Sequence, residues 1–380
     1  MVANITFPSE NNPLYYYKII HMKVSLNIKI INGPYGGGMQ FAKYLNDFLA
    51  KKGVFMIDNL QDEDIDIIIL INPFTFKSEI SAYSFWNAFI YKLKHPQTII
   101  IERINECDER KKTNYMNKLF VQVNKYSDYV VYIASWLKPL MERAGMEKNK
   151  PASIILNGAD ERIFNMSGKE KWNGVEKLKI VTHHWGGNQI KGHDIYKRLD
   201  DLLEKEGFKD KFEFTFIGNY PHDIEYKNTR LLTPLSGKEL AQEIKKHHIY
   251  ITASRNEPAG MHHIEGAMCG LPLLYINSGA LPEYCAGYGI EFNEKNFEEK
   301  LIEMRNNYEK WFQIIKNYDK TAQKMSEEYF KLISELYSKK EKYSLKENDL
   351  FVFFKYIFIK IYSIFHYIYW RTCLFSEKHF

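Results

Sequence analysis

The run from His248 to Ile276 constrains the fold more than any other part of the chain. His248 to Ala253, with Ile-Tyr-Ile-Thr at its centre, is an apolar and β-branched run of the kind that forms a buried strand. A loop carrying Glu257 follows. From Gly260 to Cys269 the composition turns helical, and Gly270 with Pro272 just beyond is the stop expected after a helix. Leu273 to Ile276 reads as the next strand. Strand, loop, helix and strand in this length make one βαβ crossover, and such a crossover implies a parallel sheet. The amino end of the helix then lies at the carboxyl edge of the sheet, where free backbone N–H groups and the helix dipole favour an anion. Glu257 falls in the loop and Glu265 inside the helix, so the two carboxylates are placed to flank a ligand whose phosphates rest on the amides near Gly260, Met261 and His262. A carboxylate beside a diphosphate serves as an acceptor for hydroxyl groups, which points to a sugar or a ribose.

The same alternation runs through the rest of the chain. Val24 to Ile31 reads as a strand, followed by a glycine loop ending in Gly36, Gly37 and Gly38 and by a helix from Met39 to Lys51. Phe41, Tyr44, Leu45, Phe48 and Leu49 recur in that helix at the spacing of one buried face. The loop lets a ligand approach the backbone closely, but it is neither a G-x-G-x-x-G fingerprint nor a P-loop. Asp66 to Ile71 is nearly all aliphatic, as a parallel strand covered on both faces must be. Asp62, Asp64 and Asp66 form D-x-D patterns, but they stand at the start of this strand, so they read as a solvated acidic turn. Thr98 to Glu102 is a strand leading into the polar run Arg103 to Lys112, where Asn105, Glu106 and Asp108 emerge at a carboxyl edge suited to sugar hydroxyls.

After a Ser-, Gly-, Lys- and Asn-rich stretch, Leu178 to Thr182 restarts the pattern. Lys191 follows a glycine loop there, well placed to meet a diphosphate with a compact positive charge. His183 and His184, adjacent in a strand, point to opposite faces and do not make a metal pair. Phe212 to Ile217 is a strand ending in Gly218, Leu231 to Pro234 reads as an edge strand, and Ser236 to His247 as a helix with Ser236 and Glu239 forming a capping box. Phe297 to Asn307 and Lys320 to Lys340 are helical patterns.

A chain of 380 residues is long enough for two domains with their own cores. The net charge of +5 is mild and no nucleic-acid-binding motif is present, so no nucleic-acid partner is expected. Cys107, Cys269, Cys285 and Cys373 are scattered without metal-ligand spacing, and they read as reduced thiols of a cytoplasmic protein. No signal peptide is expected at the amino end, and no metal or cofactor is demanded. Leu350 to Trp370 is apolar on nearly all sides, interrupted by Lys355 and Lys360. Spanning a membrane takes about 20 mainly apolar residues, and a Lys near the centre costs about 3 kcal/mol. The density of Tyr and Trp instead points to a helix lying in a membrane surface, within 350–375.

Glu257 and Glu265 with seven residues between them, followed by Gly270-Leu271-Pro272, resemble the E-x7-E signature of retaining GT-B glycosyltransferases, family four in the usual sequence classification. Ser278 to Glu283 is similar to the glycine and Pro-Glu segment that follows it in that family. Asn157-Gly158-Ala159-Asp160 with Phe164 resembles the signature that closes its first domain. The resemblance implies two Rossmann-like doubly wound α/β domains around a cleft: an extension over 1–21, a first domain over 22–165, a linker over 166–177 and a nucleotide-sugar domain over 178–317. It also implies a helix over 318–342 crossing back to the first domain, with the aromatic tail over 343–380 added.

The implied activity is sugar transfer from a nucleotide-diphosphate sugar to a glycan or glycolipid. In that scheme Glu257 faces the donor sugar, Lys191 neutralises the leaving diphosphate and Glu265 accepts from the ribose. Gly260, Met261 and His262 offer amides, Gly218 borders the base, and Asn105 with Gly37 and Gly38 meets donor sugar and acceptor. Asn105 stands where many members have a histidine, and the family's usual arginine falls near Trp185. A nucleotide-sugar epimerase of the same fold, a binding-only relative and a membrane scaffold are the alternatives.

Overall fold

A strand covered on both faces buries every side chain, and Ile67–Leu70, Ile249–Thr252 and Leu273–Ile276 do so along their whole length. In the computed structural model these strands lie inside two six-stranded sheets whose paired strands all run parallel. The described residues are 21–31, 37–72, 80–345 and Phe354, Ile357, Phe358, Ile361, Tyr362, Ile364, Phe365, Ile368 and Tyr369. The first 20 residues of the expected extension, Gly36 and the remainder of the tail lie outside them.

The first sheet comprises β1 (Lys23–Leu26), β2 (Phe55–Ile57), β3 (Ile67–Leu70), β4 (Ile99–Ile104), β5 (Tyr129–Tyr132) and β6 (Ala152–Ile154), in the order β2-β1-β3-β4-β5-β6. Its helices are α1 (Gly37–Lys51), α2 (Phe85–Lys94), α3 (Asp108–Lys111), α4 (Met116–Asn124) and α5 (Leu137–Arg143). The second sheet comprises β7 (Leu178–His184), β8 (Phe212–Gly218), β9 (Arg230–Leu232), β10 (Ile249–Thr252), β11 (Leu273–Ile276) and β12 (Gly289–Phe292), in the order β12-β11-β10-β7-β8-β9. Around it run α6 (His193–Leu202), α7 (Gly237–Lys245), α8 (Met261–Met268), α9 (Leu281–Cys285), α10 (Phe297–Asn306) and α11 (Tyr308–Ile315), and α12 (Ala322–Ser338) follows. The strand order reverses direction between β1 and β3 in one sheet and between β7 and β10 in the other. Those reversals open a crevice at the carboxyl ends of the strands, where ligands of such sheets bind.

Two elements carry little sequence signal. β2 is three residues long and half-exposed. α2 has a capping box, but Asn87 instead of Glu or Gln completes it with Ser84. Conversely, α7 begins after Ser236 as expected, yet the Ser236 hydroxyl makes no capping hydrogen bond. Within the segment expected to be a linker, Trp172 is buried edge-on against Tyr308, with ring centroids 5.6 Å apart.

α12 leaves the second domain and packs on α1 of the first: Phe41 meets Tyr329 at 5.1 Å and Phe48 meets Phe330 at 6.4 Å between ring centroids. Its start is pinned where the first domain ends, because the Ala159 N–H donates to the Lys320 carbonyl at 3.1 Å and Ala322 returns a bond to Ala159 at 2.8 Å. Gly158 makes this crossing feasible, since a Cβ there would lie 2.0 Å from the Thr321 carbonyl oxygen. Gly158→Ala should therefore force the two segments apart and cost roughly 1–3 kcal/mol, as overpacking does. The check is a lowered midpoint of thermal unfolding; an unchanged midpoint would show that the crossing yields freely.

Candidate active site

The carboxyl ends of the two sheets face one another across a cleft of about 720 Å³. Asn105, Gly37 and Gly38 line it from the first domain, and Lys191, Gly218, Glu257, Gly260, Met261, His262 and Glu265 from the second. At one point the walls nearly touch: a Cβ on Gly37 would stand 3.0 Å from Cγ of Met261.

Glu257 sits in the loop between β10 and α8 and is only 5% exposed. One of its oxygens, Oε2, accepts from the Ser254 hydroxyl at 2.7 Å and faces Lys191 Nζ at 3.4 Å and Arg110 Nη2 at 2.9 Å. Burial alone would raise this carboxyl, but Lys191, Arg110 and Ser254 outweigh it and hold the group down at about 2. The loop is braced from behind by the segment after β11, where Ala280 N–H donates to the Glu257 carbonyl at 2.8 Å and the Ser278 hydroxyl accepts from Asn256 N–H at 2.9 Å. Lys191 ends a single 3-10 turn, Gln189–Lys191, and burial pulls its ammonium down against the raising effect of Glu257.

α8 begins at Gly260, with no side-chain cap and no acidic residue in its first turn. Its first amides are thus left for a ligand, as expected for an anion-binding helix end. Glu265, one turn in, accepts from His183: Nε2 and Oε2 are 2.8 Å apart. The other ring nitrogen of His183 faces the Tyr250 hydroxyl at 3.0 Å, which fits a ring protonated at Nε2 and held toward the carboxylate. The ring of His262 turns away from the cleft, bonding Thr252 Oγ1 at 2.8 Å and packing on His184 at 4.6 Å. Gly218 ends β8 at φ 131°, and a Cβ there would lie 1.9 Å from the His184 carbonyl oxygen, so only glycine fits.

On the first-domain side, Asn105 donates its amide to the Ile71 carbonyl at 3.0 Å, which fixes its side chain at the end of β4. Arg103, from the same polar run, is 2% exposed and stacks on Phe41 at 3.7 Å while bonding Asn157 Oδ1 at 2.7 Å. Asp62 and Asp64 lie away from the cleft, where both accept from Lys23 Nζ, and Asp66 accepts from the Lys23 N–H at 3.0 Å. Two residues at the site escaped the sequence reading. His183 had its position right but no visible partner, since Glu265 is 82 residues away. Arg110 lay inside the flagged polar run, but its partner Glu257 is in the other domain, and no local pattern links them.

The sequence matches no protein-family model. Among curated proteins it is 26% identical over 180 residues to the "Uncharacterized 41.2 kDa protein in cps region" of Klebsiella pneumoniae, covering 43% of this chain and 47% of that protein. The match thus spans about half of the relative's length. Solved structures with the same arrangement include Anabaena HepE in complex with UDP and glucose, with TM-score 0.60, 12% identity, and coverage of 83% of this chain and 100% of that one. Sucrose-phosphate synthase from Thermosynechococcus elongatus gives TM-score 0.60 at 11% identity over 83% and 99% of the two chains. WaaG, a glycosyltransferase involved in lipopolysaccharide biosynthesis, gives 0.58 at 12% identity over 82% and 99%. The fold is GT-B.

Several histidines around this cleft are buried and uncharged. His263 is fully buried with neither ring nitrogen hydrogen-bonded, and burial lowers it from 6.5 to about 4. Burial also takes His193 to about 4 and holds His184 and His262 well below their usual range. Below about pH 6.5 the unfolded chain takes up protons that the folded one refuses, so stability should fall as pH drops toward 4. The depressed Glu257 adds to this from about pH 4.5 downward, because its contribution is lost as pH falls toward 2. Replacing His263 by Phe is expected to flatten the decline by about one proton, or about 1.4 kcal/mol per pH unit. Urea unfolding at pH 7, 6 and 5 checks it; equal slopes for the two proteins would mean that His263 is not held neutral.

Proposed function

We propose that this protein is a retaining glycosyltransferase that moves a sugar from a nucleoside-diphosphate sugar to a glycan or lipid-linked saccharide. One observation carries the reading: the buried Glu257 and Lys191 meet beside the uncapped start of α8, with Glu265 held by His183 one turn further on. An anion site flanked by two carboxyl acceptors suits a diphosphate with sugar hydroxyls on either side. In this assignment the phosphates rest on the α8 amides and Lys191, the ribose hydroxyls donate to Glu265, and the donor sugar lies toward Glu257. Negative charge grows on the leaving diphosphate in the transition state, and fixed N–H donors and a lysine already in place stabilise it there most. Asn105, Gly37 and Gly38 border the donor sugar and the acceptor. HepE has been solved with UDP, with glucose and with UDP-glucose, which supports testing uridine nucleotides first.

Thermal-shift measurements with UDP, GDP, ADP and their glucose derivatives test the binding part, because a ligand of the folded state raises its stability by mass action. At least one of them should raise the midpoint; a flat response across the set would remove the reading. With the responding donor, Lys191→Ala should slow transfer by roughly 10²–10³ fold. The proposal assigns the leaving-group charge to Lys191 and the amides, so transfer should persist in EDTA. NMR of the first-formed product gives its anomeric configuration, and inversion would overturn the retaining assignment.

The proposal also places the tail on a membrane surface, at the cytoplasmic face. The described tail residues are helical apolar side chains, each at least 40% exposed, while Tyr362 packs edge-on against Trp86 of the first domain at 5.7 Å. Among the described residues, no helix is long and apolar enough to cross a membrane. The full chain should float with phosphatidylglycerol vesicles and a chain ending at residue 345 should not. Equal flotation of both would remove the tail from this role.

A further inference from the structure

The cations of the cleft come from both domains. The segment after β7, from Trp185 to Gly192, holds Lys191 and no arginine. The guanidinium at this point belongs instead to Arg110 of α3, in the first domain, 7% exposed. Its Nη2 lies 2.9 Å from Glu257 Oε2, the same oxygen that faces Lys191. Its Nη1 donates to the Arg255 carbonyl at 2.8 Å. A third contact runs the other way, from Asn256 Nδ2 to the Glu109 carbonyl at 3.1 Å. Asn256 holds the left-handed conformation at φ 48°, which asparagine tolerates better than most residues. The short helix of one domain thus grips three consecutive residues of the other, and the guanidinium is fixed in the cleft wall.

The charges at this point do not balance. Arg110 and Lys191 are two cations on one carboxylate. Glu106 and Lys111, 3.1 Å apart at the rim, cancel each other. His184, His262 and His263 are kept neutral by burial. Apart from Glu265, held by His183, and Arg103, held by Asn157, one buried positive charge is left over around Glu257, an expensive arrangement unless an anion arrives to meet it. A planar guanidinium offers phosphate oxygens a paired set of donors, which the ammonium of Lys191 cannot.

We propose that Arg110 is the second cation of the diphosphate site, supplied by the first domain, so that the site is complete only when the two domains are closed on one another. This deepens the donor assignment above and rests on it.

The test compares binding of UDP with uridine, and of GDP with guanosine, by titration calorimetry on the full chain. Arg110→Ala should weaken the bound diphosphate roughly ten- to a hundredfold and leave its nucleoside unchanged. Arg110→Lys should recover part of the loss, as a charge without the paired donors. Should Arg110→Ala fail to fold, Arg110→Gln, which keeps a donor for the Arg255 carbonyl, carries the same comparison. Equal losses for nucleoside and diphosphate would show a merely structural role and overturn the proposal, as would undiminished diphosphate binding. If the wild-type chain binds neither of these diphosphates nor ADP, the donor assignment itself falls and takes this one with it.

Discussion

A parallel strand covered by helices on both sides has room for a free charge only where the cover ends. β4 illustrates what happens earlier in the strand. Glu102 is 1% exposed, and burial drives its carboxyl up to about 8 despite bonds from Asn124 and Ser127. It avoids carrying a charge instead of being paired. Arg103, which cannot shed its proton, is accommodated by stacking on Phe41 and by Asn157. Past the strand, Asn105, Glu106, Arg110 and Lys111 join Arg103 in lining the cleft. In β7 the buried Leu178, Ile180 and Val181 give way to a buried threonine and two histidines, with Lys191 beyond. Sheet cover therefore sorts the titratable groups, and the strand-order reversals bring the two sorted edges face to face.

The domains are joined at this edge mainly by side chains of one domain meeting the main chain of the other. Trp136 Nε1 donates to the Pro258 carbonyl at 3.3 Å, Asn157 Nδ2 to that of Ala259 at 2.9 Å, and the Tyr284 hydroxyl to that of Ile133 at 2.8 Å. Glu283 accepts from the Ser135 N–H at 2.7 Å. The first two contacts fall on the loop between Glu257 and α8. That loop is clamped from the first domain by Trp136 and Asn157, and from its own domain by Ser278 and Ala280. A carboxylate carried on a loop is thereby held by contacts from both domains.

What the sequence made legible follows from the range of the interactions. The alternating strands, the βαβ unit around Glu257 and the helix pattern of Met39–Lys51 are set by neighbours a few residues apart, and the sheets contain them. The glycines at 37, 218 and 260 were legible because a close approach leaves its mark on the residue that makes it, whereas a Cβ at Gly38 would meet nothing nearer than 4.0 Å. The carboxylate pairings were not. His183 meets Glu265, and Arg110 meets Glu257, through topology alone, and neither a spacing nor a charge pattern along the chain encodes such a meeting. α2 was missed for a smaller reason: its cap uses Asn87, which bonds the Ser84 amide as a glutamine would but does not fit the usual pattern.

The balance at Glu257 bears on what the cleft can hold. Among the described residues the carboxylate is the counterion shared by Arg110 and Lys191, and Ser254 occupies the same oxygen. A neutral sugar entering here would leave the excess positive charge in place and gain nothing from it. A diphosphate neutralises that excess and brings a further negative charge of its own, which the α8 amides are oriented to meet. It must draw Arg110 and Lys191 partly away from Glu257, so its affinity is what remains after that competition. The same competition loosens the carboxylate's hold on both cations once the diphosphate is seated. In the proposed assignment this would leave Glu257 with acceptor capacity for a sugar hydroxyl beside the ligand.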